Sequence, residues 1–133
     1  AAALAPDGHA RPLLERAAAL WRDRPLAGAE YHWAAGAIRY LVASYLTLAE
    51  RLARLQLDGG DPRAALACCE RALAHDPLDE RLWRLAMQAE AALGLRATLT
   101  RRYDTLAGLL AERLGLLPER ETRDLYRELL SQG

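Results

Sequence analysis

Apolar residues recur three and four positions apart along most of this chain, and the recurrence breaks only at clusters of Gly, Pro and Asp. That period is one face of an α-helix, and the breaks are helix ends. Six helices are predicted. The first spans about Pro12 to Arg22, with Leu13, Ala17, Leu20 and Trp21 on one side. A loop from Asp23 to Gly28 carries Pro25 and Gly28. The second helix spans about Glu30 to Leu57, with a stripe of Ile38, Leu41, Tyr45, Leu48, Leu52 and Leu55. At 1.5 Å per residue it is about 40 Å long. Gly36 sits inside it as a candidate kink, at a cost of about 1 kcal/mol relative to Ala.

The third helix opens at Asp61-Pro62: Asp can cap the free amides, and Pro fits the first helical position, which needs no donor. Its buried face is predicted to be Ala65, Leu66, Cys69, Ala72 and Leu73, with Cys68 beside it. Asp76-Pro77 repeats the start signal for the fourth helix, which buries Leu82, Leu85, Ala86, Ala89 and Leu93 and stops at Gly94. A fifth, from about Arg96 to Leu114, presents Leu99, Tyr103, Leu106 and Leu110. Pro118 opens a sixth, with Leu125, Leu129 and Leu130 inward. Composition agrees: there are 28 Ala and 28 Leu, but one Ile, one Val and five Thr. Strong helix formers dominate and β-branched residues are nearly missing. The prediction is an all-α chain of antiparallel helices joined by short connections.

Gly60 and Gly94 lie 34 residues apart, each at a break between two helical stretches. This is the period of a tetratricopeptide helix pair. Residues 46–79 fit that pattern well, with Leu52-Ala53, Gly60-Asp61, Ala65, Ala72 and Asp76-Pro77 in place. Residues 80–113 keep Trp83, Gly94 and Tyr103 but carry Met87 where a smaller residue is usual. Stacked pairs of this kind form a right-handed superhelical array, with flanking helices acting as caps.

A narrower resemblance follows from the order of several segments. These are Asp76 to Leu85, then Ala92-Leu93-Gly94, then Leu114-Gly115-Leu116-Leu117-Pro118 with Glu121-Thr122 and Leu125-Tyr126. Upstream stand Leu20-Trp21-Arg22, Pro25-Leu26 and Trp33. Together they resemble the bacterial transcriptional activator domain, a tetratricopeptide-like module of the Streptomyces antibiotic regulatory proteins. The resemblance covers residues 11–131 and leaves 1–10 as a linker or the end of an excised segment. It implies a cytoplasmic regulatory module that works with a separate winged-helix DNA-binding domain, which this chain does not contain.

Charge and chemistry narrow the function. With 18 basic residues, all Arg, and 18 acidic ones, the formal charge is zero. Proteins that hold nucleic acid through its phosphates need a positive surface, so direct nucleic-acid binding ranks last. No apolar run reaches membrane-spanning length, and residues 1–10 do not read as a signal peptide. Neighbouring Cys68 and Cys69 point about 100° apart on a helix, which suits neither a disulfide nor a metal pair. His9, His32 and His75 have no ligand-spaced companions. No phosphate loop, nucleophile elbow or zinc-protease motif is present. Neither enzymatic activity nor a metal or cofactor is expected. Trp21, Trp33 and Trp83 are read first as packing between helices, and Arg96 with Arg101-Arg102 as a solvated face.

One surface remains. In the resembled repeat, the first helix of each pair lines the concave side. By helical phase this brings Glu50, Arg54 and Leu57 beside Arg81, Arg84 and Gln88. Their guanidiniums could hold carboxylates through paired hydrogen bonds, or could pair internally with Glu50, Asp58 or Glu80. The first reading is therefore a protein–protein interaction module of a transcriptional regulator. Its partner would be an acidic protein or peptide, or a second copy of the chain. The alternative is a peptide-binding or oligomerisation adaptor of a larger membrane- or cell-wall-associated protein.

Overall fold

The computed structural model describes residues 28–132, and every regular element among them is a helix. These are α1 (Gly28–Asp58), α2 (Pro62–Leu73), α3 (Glu80–Ala92), α4 (Arg96–Leu114) and α5 (Arg120–Ser131). The helix predicted at 12–22, Trp21, His9 and nearly all of the loop after that helix lie outside the described residues.

The chain divides into two compact units, residues 1–48 and 49–133. In the first, the described segment of α1 buries Ala34, Leu41 and Leu46. The helix runs through Gly36 without a break. Trp33 is 51% exposed, so the packing role expected of it is not met among the described residues.

In the second unit α3 is the central helix and packs against α2, α4 and α5. Small residues make the close approach to α2 possible: Ala65, Cys69, Ala72, Ala86 and Ala89 are all fully buried. The Cys68 thiol donates to the Ala49 carbonyl at 3.4 Å, tying α2 to the end of α1. On the other side, Met87, Leu99 and Leu129 join α3, α4 and α5, with Tyr103 and Tyr126 packed against them. Those two rings stack with centroids 4.0 Å apart. Met87, the residue larger than the repeat pattern favours, fills the middle of this cluster. The Trp83 ring is buried, and its indole N–H donates to the Pro77 carbonyl at 2.8 Å.

The 34-residue period has an atomic form. After α1, the Asp61 amide donates to the Gln56 carbonyl and the Gly60 amide to Leu57. After α3, Leu95 donates to Glu90 and Gly94 to Ala91. Both are Schellman ends, which need a left-handed residue after the helix. Gly60 and Gly94 supply it, at φ of 82° and 74°. Asp61 caps α2 by accepting from the Ala64 amide, with Pro62 at the helix start, as predicted.

Four expectations are corrected. First, α3 starts at Glu80 with Asp79 as its cap, accepting from Arg81 and Leu82; Asp76 instead accepts from the Leu78 amide two residues on. Second, on α2 the buried row includes Cys68 rather than Leu66, which is only partly covered. Third, Leu55 is 59% exposed, while Ala49 and Ala53 carry the buried edge of α1 near its end. The link to α2 on this edge is the Ala49 carbonyl, which accepts from the Cys68 thiol. Fourth, α5 begins at Arg120 after Glu119, two residues beyond Pro118.

Candidate partner-binding face

The six residues brought together by helical phase divide into two groups. Glu50 and Arg81 do meet, with their charged ends 3.9 Å apart. Arg81 is an open side chain, 70% exposed, whereas Glu50 is 27% exposed. Burial, reinforced by the charge of Asp79, raises the Glu50 carboxyl above its ordinary value, against the opposing pull of Arg81 and Arg84. One turn along α1, Arg54 is exposed, and no carboxylate among the described residues lies within ion-pair reach of it. Leu57 and Gln88 are half-buried. The Gln88 side-chain carbonyl is covered yet accepts no hydrogen bond.

Arg84 belongs elsewhere. It is only 14% exposed and turns toward α5. Its guanidinium donates to the Thr122 hydroxyl at 2.9 Å and lies 3.4 Å from Glu119 and 3.6 Å from Glu121. Thr122, fully buried, donates in turn to Glu80 at 2.7 Å. Glu80 also accepts from the Glu119 amide at 3.0 Å. Glu119 gives α5 no side-chain cap of its own; a carboxylate from α3 takes that place and meets the positive helix end. Of the three guanidiniums, Arg84 is therefore engaged in joining α3 to α5, Arg81 is loosely paired and Arg54 is open. The internal partners of Arg84 differ from the Glu50, Asp58 and Glu80 considered from sequence.

A second polar cluster was not legible as such. Arg102 was read as part of a solvated basic face, but its side chain is 15% exposed and donates to Glu90 at 2.7 Å. It also lies 3.6 Å from Glu70 and 5.9 Å from the centre of the Trp83 ring. Glu90 is fully buried, and its second oxygen has no partner. Burial raises its carboxyl, partly offset by the hydrogen bond from Arg102. This pair ties α2, α3 and α4 together. Arg96 donates to the Leu130 carbonyl at 2.8 Å near the end of α5, and Arg101 remains exposed. The signal was in the spacing: Glu90 follows Leu82 and Ala86 in steps of four, and Arg102 falls between Leu99 and Leu106. A charge within each of two facing apolar stripes points to a buried pair.

The remaining chemistry is spare. Burial, together with its neighbour Cys68, pushes the Cys69 thiol up to about 12, and burial also raises Cys68. Among the described residues no three His, Cys, Asp or Glu side chains gather as a metal would require, and no helix is long and apolar enough to cross a membrane.

Helix pairs repeated at 34 residues, closed by matched glycine turns and stacked through small side chains, define an all-α, tetratricopeptide-like module. A family model for the bacterial transcriptional activator domain matches residues 2–130, and the chain belongs to that family. It is 34% identical over 122 residues to the regulatory protein AfsR of Streptomyces coelicolor. That stretch is 92% of this chain and 12% of the relative, so the chain spans a small part of that protein's length. No solved structure gives a significant match.

Proposed function

We propose that this domain is a non-catalytic protein-interaction module of a bacterial transcriptional regulator. It acts in the cytoplasm with a DNA-binding domain carried elsewhere in the same protein. It would hold a protein or peptide partner on the face formed by α1 and α3 and leave base recognition to the other domain. The observation that carries this reading is the state of that face: Arg54 and Arg81 are exposed and at most loosely paired, whereas the nearby Arg84 and the Arg102 of α4 are engaged within the fold. Side chains already committed to the fold have little left to give a partner. The open guanidiniums of Arg54 and Arg81 do.

The test uses the whole regulator. Changing Arg54 and Arg81 together to Glu should reduce transcription from its target promoter while leaving promoter binding unchanged. Loss of promoter binding in that variant, or tight sequence-dependent DNA binding by the 133-residue chain alone, would contradict the reading.

A further inference from the structure

Glu50 occupies an unusual position on the α1–α3 face. It is a carboxylate placed against an arginine, yet the contact is long and open. At 3.9 Å from a guanidinium that is 70% exposed, it lies beyond the 2.7–2.9 Å of a formed charge-assisted hydrogen bond. Exposed pairs of this kind contribute little to stability. Arg102 on Glu90 shows what a committed pair looks like in this fold, at 2.7 Å and largely buried.

Next to this contact, Arg54 lies one turn along α1 from Glu50 and is exposed without an ion-pair partner. Gln88 lies two turns along α3 from Arg81, with its carbonyl accepting nothing. Swinging the Gln88 carbonyl outward to a ligand N–H would cost the fold no existing hydrogen bond at that atom. Arg84 is fixed on Thr122, Glu119 and Glu121 and is not available to a ligand on this face.

We propose that Glu50 is an internal acidic occupant of this face, and that an extended acidic segment of a partner protein displaces it. In this arrangement a partner carboxylate takes Arg81 from Glu50, and a second takes Arg54. Gln88 accepts a backbone N–H of the same segment. The partner's class follows from the chemistry: two planar cations with spare donors select carboxylates, and the covered Gln88 carbonyl, once turned outward, would take a backbone N–H of an extended segment. The inference rests on the interaction-module reading and adds to it the ligand's charge and the role of Glu50.

Fluorescence anisotropy of the 133-residue chain with two labelled peptides tests it: a short peptide alternating Asp and Glu with Ala, and the same peptide with Asn and Gln for the acids. The acidic peptide should bind and the amide version should bind at least about tenfold more weakly, the scale of one lost charge-assisted hydrogen bond. Arg81→Glu and Arg54→Glu should each weaken the acidic peptide by a similar factor. Arg120→Glu, at an 87% exposed arginine on α5, should change it little and controls for overall charge. Glu50→Gln should strengthen binding several-fold, because it removes the competitor and leaves the cations. Circular dichroism of each variant confirms that it is folded. Equal affinity for the two peptides, with both weakened by the arginine changes, overturns the acidic ligand and leaves the interaction face standing. Binding that no substitution on the face alters, or no binding of either peptide, overturns the proposal. Weaker binding in Glu50→Gln overturns the competitor role.

Discussion

The Glu90–Arg102 pair offers the sharpest test of how the fold is held. Arg102→Met keeps an unbranched apolar stem but removes the guanidinium, whose carbon lies 5.9 Å from the centre of the Trp83 ring. Glu90 is then a carboxylate with no exposed surface and no partner at either oxygen, since its second oxygen is already unsatisfied. Breaking a buried pair in this way costs about 3–5 kcal/mol. Domains of this size are stable by only about 5–15 kcal/mol, so the loss is large. With a urea m-value of about 1.5 kcal/mol/M, the midpoint falls by about 2–3 M.

The sign of the pH dependence follows from the direction of the shift. The folded carboxyl of Glu90 is raised by burial, and losing Arg102 removes the main opposing influence. A raised folded value means that the favourable contribution is present below the unfolded value and is lost as pH rises through the folded one. The variant should therefore suffer most near neutral and alkaline pH and recover part of its loss toward about pH 5. The double change Glu90→Leu with Arg102→Met should restore most of the stability, because an apolar pair of similar volume often matches a buried ion pair. Urea melts followed by far-UV circular dichroism at both pH values measure all of this. A single-variant loss below about 1 kcal/mol, or a loss independent of pH, would show that Glu90 finds another partner and does not hold three helices together through Arg102.

Three further outcomes are expected. Gly94→Val should cost more than about 1 kcal/mol in a urea melt: φ there is 74°, and open space around an added Cβ leaves backbone strain as the cause. Trp83→Ala should lower stability by about 3–5 kcal/mol, because the ring is buried and its N–H is bonded to Pro77; an unchanged melting temperature would put the ring outside the core. Cys68 and Cys69 should resist iodoacetamide in the folded chain at mildly alkaline pH and label fully in urea, since both thiols are buried and Cys69 stays protonated up to about 12; rapid native labelling of Cys69 would refute that placement.

What sequence revealed depended on whether the chemistry was local. Asp61-Pro62, Gly60 and Gly94 act within their own turn, so their roles were readable and hold in the structure. The bounds of α4 were likewise readable from Arg96 and Leu114. Asp76-Pro77 misled because Asp satisfies a tight turn and a helix cap with the same oxygen, and only the fold decides that Asp79 has the second task. Cys68 was placed beside the buried face, but α1 comes within hydrogen-bond reach of its thiol. The candidate face was legible as a cluster by helical phase. That Arg84 leaves it for Thr122 was not, because the partner lies 38 residues away on another helix. Glu80 capping α5 from outside was hidden for the same reason.

A titration of the isotope-labelled 133-residue chain, followed by two-dimensional amide NMR, addresses the central claim most directly. The acidic peptide is added in one series and the target-promoter duplex in another. The account predicts that peptide-induced shifts concentrate at residues 50–57 and 81–88, spread no further than the adjoining turns, and fade in Arg81→Glu. The duplex should produce only weak shifts that vanish as salt rises. Shifts centred instead on the exposed Leu114, Leu116 and Leu117, or a salt-resistant, sequence-dependent response to the duplex, would contradict it.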